Sequence, residues 1–342
     1  MEKVLSLIIP TYNMEKYLNK CLDSLIVENM DLMEVLVIND GSKDNSSKIA
    51  HEYENKYPNT FRVIDKENGN YGSCINKGLK EASGKYIKVL DADDSFDNQE
   101  LNSFLNKLIN INADLIFNDF IVVNEDNVET SFHSYTHLND NTKYDFKSIH
   151  KSIGLNIEMH RITYLRKNLL KIGYTQTEGI SYTDQEWIHL PMTTVNTIYY
   201  IKTPLYRYLI GREGQTMNPV VLAKSFKQLT TVVQKLMMNY IAYEPQDAKK
   251  EYLLDRIYAN LYVIYANAII NKIYPCQDFT AFDNEVKQWE TSLNERLENL
   301  IISSKIPFKY VKHWRKHHKF LPSYISIINR VLSYIIAIKN SK

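Results

Sequence analysis

The segment "KYIKVLDADDSFDN" (85–98) runs an apolar stretch straight into Asp91, Asp93 and Asp94. Carboxylates this close either raise one another's pKa or require a counter-ion. A hard divalent cation such as Mg²⁺ or Mn²⁺ prefers carboxylate oxygen and takes one or two such groups together with substrate phosphates. An Asp-x-Asp closing a strand is therefore a candidate metal–diphosphate site. A solvated, Asp-rich turn explains the same three residues, with Asp97 as the cap of the helix "NQELNSFLNKL" that follows.

The elements that must position these groups alternate. "VLSLIIP" (4–10), "MEVLVIND" (33–40), "FRVID" (61–65) and "KYIKVLD" (85–91) read as strands, the first as one buried on both faces. Between them, "MEKYLNKCLDSLIVE", "DNSSKIAHEYENKY" and "SCINKGLKEAS" place their apolar residues at helical spacing. This order predicts an α/β fold, a mostly parallel sheet flanked by helices. Ligands of such sheets sit beyond the carboxyl ends of the strands, where Tyr12, Asn13, Asp40 and Asp91 all fall. Farther on, "DLIFNDFIVVN" and "TSFHSYTHL" are β-rich, and a helix is expected from about Tyr164 to Lys171. "TIYYIK" and "PLYRYLI" read as two strands around Pro204, and helix patterns dominate from "NPVVLAKSF" onward, with Asn218-Pro219 as cap and first-turn proline. The expected division is 1–217 and a helical 218–342.

With Lys+Arg 41 against Asp+Glu 40, the net charge of +1 favours neither a nucleic acid nor an acidic partner. The 3 cysteines, Cys21, Cys74 and Cys276, fit neither a disulfide framework nor a zinc motif, which suits a reduced, cytoplasmic setting. No apolar run reaches the ~20 residues that a membrane span needs.

Four segments together resemble the family-2 glycosyltransferases, the inverting, nucleotide-sugar-dependent enzymes of GT-A fold: "LSLIIPTYNMEKYLNKCLDSL", "VLVINDGSKDNS", "ENGNYGSCINKGLKEASGKYIKVLDADD" and "YTDQEW", in the family's order over roughly residues 3–217. The resemblance implies that Pro10, Tyr12 and Asn13 meet the nucleotide base and that Asp40 accepts a hydrogen bond from it, as a carboxylate does from the imide of uracil. Asn68 and the glycines of "GNYG" would let the backbone approach the nucleotide. Asp91, Ala92 and Asp93 would line the ribose and diphosphate, with Asp91 and Asp93 holding Mn²⁺ or Mg²⁺. Asp94 is left open as a ligand. Asp184 would be the base that deprotonates the acceptor hydroxyl; otherwise it caps a helix over Gln185–Leu190, with Glu186 as its first-turn acid. Arg207 and Arg212 either reach the diphosphate or, for Arg207, face solvent. Two positions depart from the family pattern. Asn39 replaces an acid, and Ile75 replaces an arginine that contacts the nucleotide.

The implied activity is transfer of a sugar from a nucleotide-diphosphate donor, UDP-linked by expectation, to a hydroxyl of a cell-surface polysaccharide or lipid-linked glycan. A nucleotidyltransferase and an inactive binding module are the alternatives. His160 is expected to be packed rather than a ligand. The basic and aromatic "KIPFKYVKHWRKHHK" (305–319), followed by an amphipathic stretch to 338, suits either a peripheral contact with an anionic membrane or a solvated helix face.

Overall fold

The computed structural model describes residues 2–154, 156–212, 215, 224–270, 277–295 and 306–317, without the side chains of 247, 270 and 306–310. The chain divides into two compact units, Met1–Gln215 with Asn239–Tyr252, and Thr216–Met238 with Leu253–Lys342.

The first unit opens with strands β1 (Leu5–Thr11), β2 (Met33–Asn39), β3 (Phe61–Asp65) and β4 (Tyr86–Val89). They pair in parallel in the order β3-β2-β1-β4. Helices α1 (Leu18–Asp23), α2 (Ser46–Lys56) and α3 (Asn70–Glu81) make the crossovers. Strand β1 is buried at every position because its run of Leu and Ile is covered on both faces. The short strand β5 (Ser95–Phe96) and helix α4 (Asn98–Asn110) follow, and Asp97 caps α4 through Gln99 N and Glu100 N as the sequence suggests.

Strands β6 (Leu115–Val123), β7 (Glu129–His133), β8 (Thr142–Asp145), β9 (Ile162–Leu165) and β10 (Thr197–Leu209) complete a mixed ten-stranded sheet. Its main path runs β3-β2-β1-β4-β9-β6-β10-β5. Interspersed are α5 (Phe146–Ile153), α6 (Arg166–Lys171) and α7 (Asp184–Trp187).

Two expectations are corrected here. Tyr164 belongs to a strand, not a helix: β9 lies antiparallel between β4 and β6, and only residues from Arg166 onward are helical. The two strands expected around Pro204 are one. The register of β10 against β6 shifts between Ile201 and Tyr206, so the irregularity absorbs a residue that has no N–H to donate.

The second unit is built from α8 (Phe226–Tyr243, through Met238), α9 (Asp247–Ile270, from Leu253), α10 (Gln277–Leu293) and α11 (Ile306–His317). Phe279, Phe282, Tyr265 and Trp314 are buried in it. Asp283, fully buried, accepts from Tyr265 at 2.8 Å and from Arg315 at 2.8 Å, while Arg315 also reaches Glu290. Trp314 and Arg315, two residues of the basic-aromatic segment, thus turn inward, whereas Lys312, Lys316 and His317 are exposed. Residues 305 and 318–338 of that segment, and Asn218-Pro219, lie outside the described residues. No helix among the described residues is long and apolar enough to cross a membrane.

Candidate functional site

Parallel strands β1, β2 and β4 end side by side, and the polar groups beyond them interlock. Asn13, at φ +53°, accepts from Lys43 N at 2.8 Å through its side chain and donates its own N–H to Ser42 at 3.1 Å. The loops after β1 and β2 are thereby tied together. Pro10 is buried within β1, opposite Ile38, and the strand continues to Thr11. Tyr12, at these strand ends, is 45% exposed.

Asp40 is buried, and its Oδ1 accepts from Lys66 Nζ at 2.6 Å and from Gly69 N at 3.0 Å. Asn68 donates to Asp40 O at 2.9 Å. Lys66 was not singled out by the sequence; its only signal is its place just after β3, facing the end of β2.

The glycines of "GNYG" have a different cause from the one expected. A Cβ on Gly72 would sit 2.0 Å from Thr177 O, and Gly69 O accepts from Gly179 N at 2.8 Å. Gly72 admits the chain's own segment 176–179, which leads to Asp184, whereas a Cβ on Gly69 would meet Ser73 Oγ at 2.7 Å.

The acidic cluster is asymmetric. Asp91 Oδ1 accepts from Tyr71 OH at 2.8 Å. Burial first, then the negative charge of Asp93, pushes the Asp91 carboxyl up to about 7. Asp93 is ion-paired with the Arg212 guanidinium, which lies 5.7 Å from the centre of the Tyr17 ring. Asp94 is buried and anchors β10, accepting from Tyr206 OH at 2.6 Å and from Leu209 N at 2.7 Å. Burial, then Asp93 and Asp91, raises its carboxyl well above the usual range. The side chain of Ala92 is part of the hydrophobic core, which leaves only its backbone for a ligand.

Arg212 is therefore brought to the cluster. Arg207 is not, because its guanidinium bonds Glu129 on β7 at 2.9 Å. Tyr71 and Tyr206 were missed, since nothing local marks a tyrosine as the partner of an aspartate 20 or 112 residues away.

Asp184 starts α7. The cap position is Thr183, with no side-chain cap bond, so Asp184 does not serve as the cap. Gln185 Nε2 donates to Asp184 Oδ2 at 2.9 Å. Glu186, buried, accepts from Thr177 N at 2.9 Å and fixes the approach to α7. The charge of Asp184 is among those that raise Asp91, Tyr71 and Tyr208, which puts it in the same electrostatic neighbourhood as the acidic cluster.

His160 is packed, its ring 4.3 Å from Tyr208, 4.7 Å from Tyr206 and 5.2 Å from Phe120 between centroids. Asp91, Asp94 and His160 each offer a ligand atom, all within 4.8 Å of one another, and His160 Nδ1 is buried with no hydrogen-bond partner. Two carboxylates beside an imidazole nitrogen are a donor set that fits a divalent cation.

The family model "Glycosyl transferase family 2" matches residues 6–188. A Bacillus subtilis (strain 168) protein, EpsH, a glycosyltransferase by name, is 31% identical over 219 residues, 60% of this chain and 60% of that protein. The uncharacterized Mycoplasma genitalium glycosyltransferase MG025 is 30% identical over 224 residues, 62% of this chain and 69% of that one. Among solved structures, S. aureus TarS 1–349 in complex with UDP-GlcNAc superposes with a TM-score of 0.60 at 19% identity, covering 82% of this chain and 78% of that one. The mannosyltransferase PcManGT of Pyrobaculum calidifontis, in complex with GDP-Man and Mn²⁺, gives 0.52 at 13% identity, covering 93% and 89%. At these identities the two structures speak to the fold.

Proposed function

The chain belongs to glycosyl transferase family 2 and is a glycosyltransferase of GT-A fold, and from that membership we propose that it transfers a sugar, with inversion, from a UDP-sugar to a hydroxyl of a cell-surface polysaccharide or lipid-linked glycan. The observation that supports this reading is that Tyr12, Asp40 and the acidic cluster Asp91, Asp93 and Asp94 follow the ends of the neighbouring parallel strands β1, β2 and β4.

Asp184 takes the proton of the acceptor hydroxyl while that oxygen attacks the anomeric carbon and the bond to the diphosphate breaks. Tyr12 stacks on the base. Lys66 and Gly69 hold Oδ1 of Asp40, and the carboxylate accepts an N–H from a uracil imide. Asp91, and Asp93 once Arg212 has turned to the diphosphate, would hold Mn²⁺ or Mg²⁺. When bound, the cation neutralises charge on the departing diphosphate, so that no protonated leaving group is required. The solved neighbour bound to UDP-GlcNAc and the one bound to GDP-Man and Mn²⁺ support a nucleotide-sugar donor and a divalent cation.

A thermal-shift screen tests the donor. UDP-sugars with Mn²⁺ are expected to raise the melting temperature, by ~2.7 kcal/mol of stabilisation at a hundredfold excess over Kd, and Asp91→Asn to remove the shift. No shift with any nucleotide sugar, with or without Mn²⁺, would sink the reading.

Exposed Lys312, Lys316 and His317 on α11 also support a peripheral contact between the 305–338 segment and an anionic membrane. In flotation with phosphatidylglycerol vesicles, the full chain should rise with the lipid and Lys312→Glu with Lys316→Glu should stay behind. Equal flotation would remove the contact.

A further inference from the structure

We propose that His160 is a ligand of the divalent cation, together with Asp91 and Asp94, and that its nitrogen biases the site toward Mn²⁺ over Mg²⁺. This rests on reading the acidic cluster as the donor site of a glycosyltransferase.

The sequence points to Asp91 and Asp93 as the metal pair, but Asp93 is paired with Arg212 and reaches the cation only when Arg212 turns to the diphosphate. Among the described residues, Asp91, Asp94 and His160 form a group whose ligand atoms lie within 4.8 Å of one another. A cation with bonds near ~2.1 Å keeps opposite ligand atoms about 4.2 Å apart, so small rotations close this set. Each carboxylate still has capacity. Asp91 gives one oxygen to Tyr71, and Asp94 gives each oxygen a single donor, from Tyr206 and from Leu209. A carboxylate oxygen offers two lone-pair sites, so neither contact excludes a metal.

A second observation is independent of the carboxylates. His160 Nδ1 is buried and without a hydrogen-bond partner, and a buried polar atom left this way calls for an explanation such as an ion.

The backbone of His160 is also held firmly. Lys88 Nζ, on a fully buried side chain of β4, donates to His160 O at 2.9 Å, and Asn118 Nδ2 donates to the same oxygen at 3.2 Å. The ring is wedged against Tyr208 and Phe120. Outer supports of this kind orient metal-binding histidines, and losing them typically costs ~10–100-fold in metal affinity. An imidazole nitrogen among carboxylates favours Mn²⁺ over Mg²⁺, because Mg²⁺ prefers an all-oxygen shell.

The test is pulsed electron paramagnetic resonance on the full chain with Mn²⁺ and UDP, recording modulation from coordinated nitrogen. The wild type should show a directly bound histidine ¹⁴N that becomes ¹⁵N on labelling with [¹⁵N]histidine. His160→Phe keeps an aromatic ring between Tyr208 and Phe120, so it should stay folded by circular dichroism. It should lose the nitrogen signal and bind Mn²⁺ ~10-fold more weakly while Mg²⁺ affinity changes less.

Mn²⁺ bound without histidine nitrogen, or nitrogen coupling that persists in His160→Phe, overturns this inference and leaves the glycosyltransferase reading intact. No Mn²⁺ bound with UDP present overturns the metal dependence, and this inference with it.

Discussion

Asp184→Asn should lower kcat by ~10²–10⁴-fold while leaving UDP affinity within about threefold, because the amide cannot take the acceptor's proton but keeps the side chain's shape. The geometry separates this result from a folding defect. The cap position of α7 is Thr183 rather than Asp184, and Glu186 holds Thr177 N and thereby the entry to that helix. Gln185 donates to Asp184 Oδ2, a bond that an asparagine can replace through its carbonyl. Glu186→Gln, the comparison variant, should lose stability before it loses chemistry. A kcat for Asp184→Asn within threefold of the parent would mean that another group takes the proton.

Gly72→Ala should destabilise the first unit by ~1–3 kcal/mol, or more if the backbone cannot yield, and should lower transfer as well. The added methyl would stand 2.0 Å from Thr177 O, a backbone atom fixed by its neighbours, and cannot be accommodated by a rotamer change. Asn76 grips the same segment from α3, donating to Gln176 O at 2.9 Å and accepting from Gln176 N at 2.8 Å. Displacing this segment strains the path to Asp184 eight residues on from Gln176. Gly173→Ala is the control, since nothing lies within 4 Å of its added carbon, although its φ of +56° carries a strain of its own. A denaturation midpoint for Gly72→Ala equal to that of the parent would mean that the segment does not pack on α3.

What could be read in the chain follows from which forces are local. Strands β1 and β2 and helices α2 to α4 are specified by their own periodicity, and the Asp97 cap by a bond within three residues. Tyr164 and Leu165 at the end of β9 read as helix because "TYLRKNLL" suits either state, and the choice is made by β4 and β6 on the strand's two sides. The identities of Asp40, Asp91, Asp93 and Asp184 were legible as candidate chemistry, but their partners were not. Arg212 meets Asp93 across 119 residues, and Tyr206 meets Asp94 across 112. Such pairings depend on the assembled sheet, which is why Asp94 shows itself as an anchor for β10 and Gly72 as clearance for another segment.

Lys88 has a chemical consequence of its own. Burial holds its amine well below the usual lysine range, yet the side chain is wholly enclosed and donates to Asn118, His160 O and Ile162 O. No acylating reagent can reach it while β4, β6 and the His160 turn stay together. Exposed Lys43 and Lys316 should be modified by acetic anhydride within the first minutes, and Lys88 only when this part of the sheet opens. Its rate of acetylation, read by peptide mass, would serve as a clock for that opening.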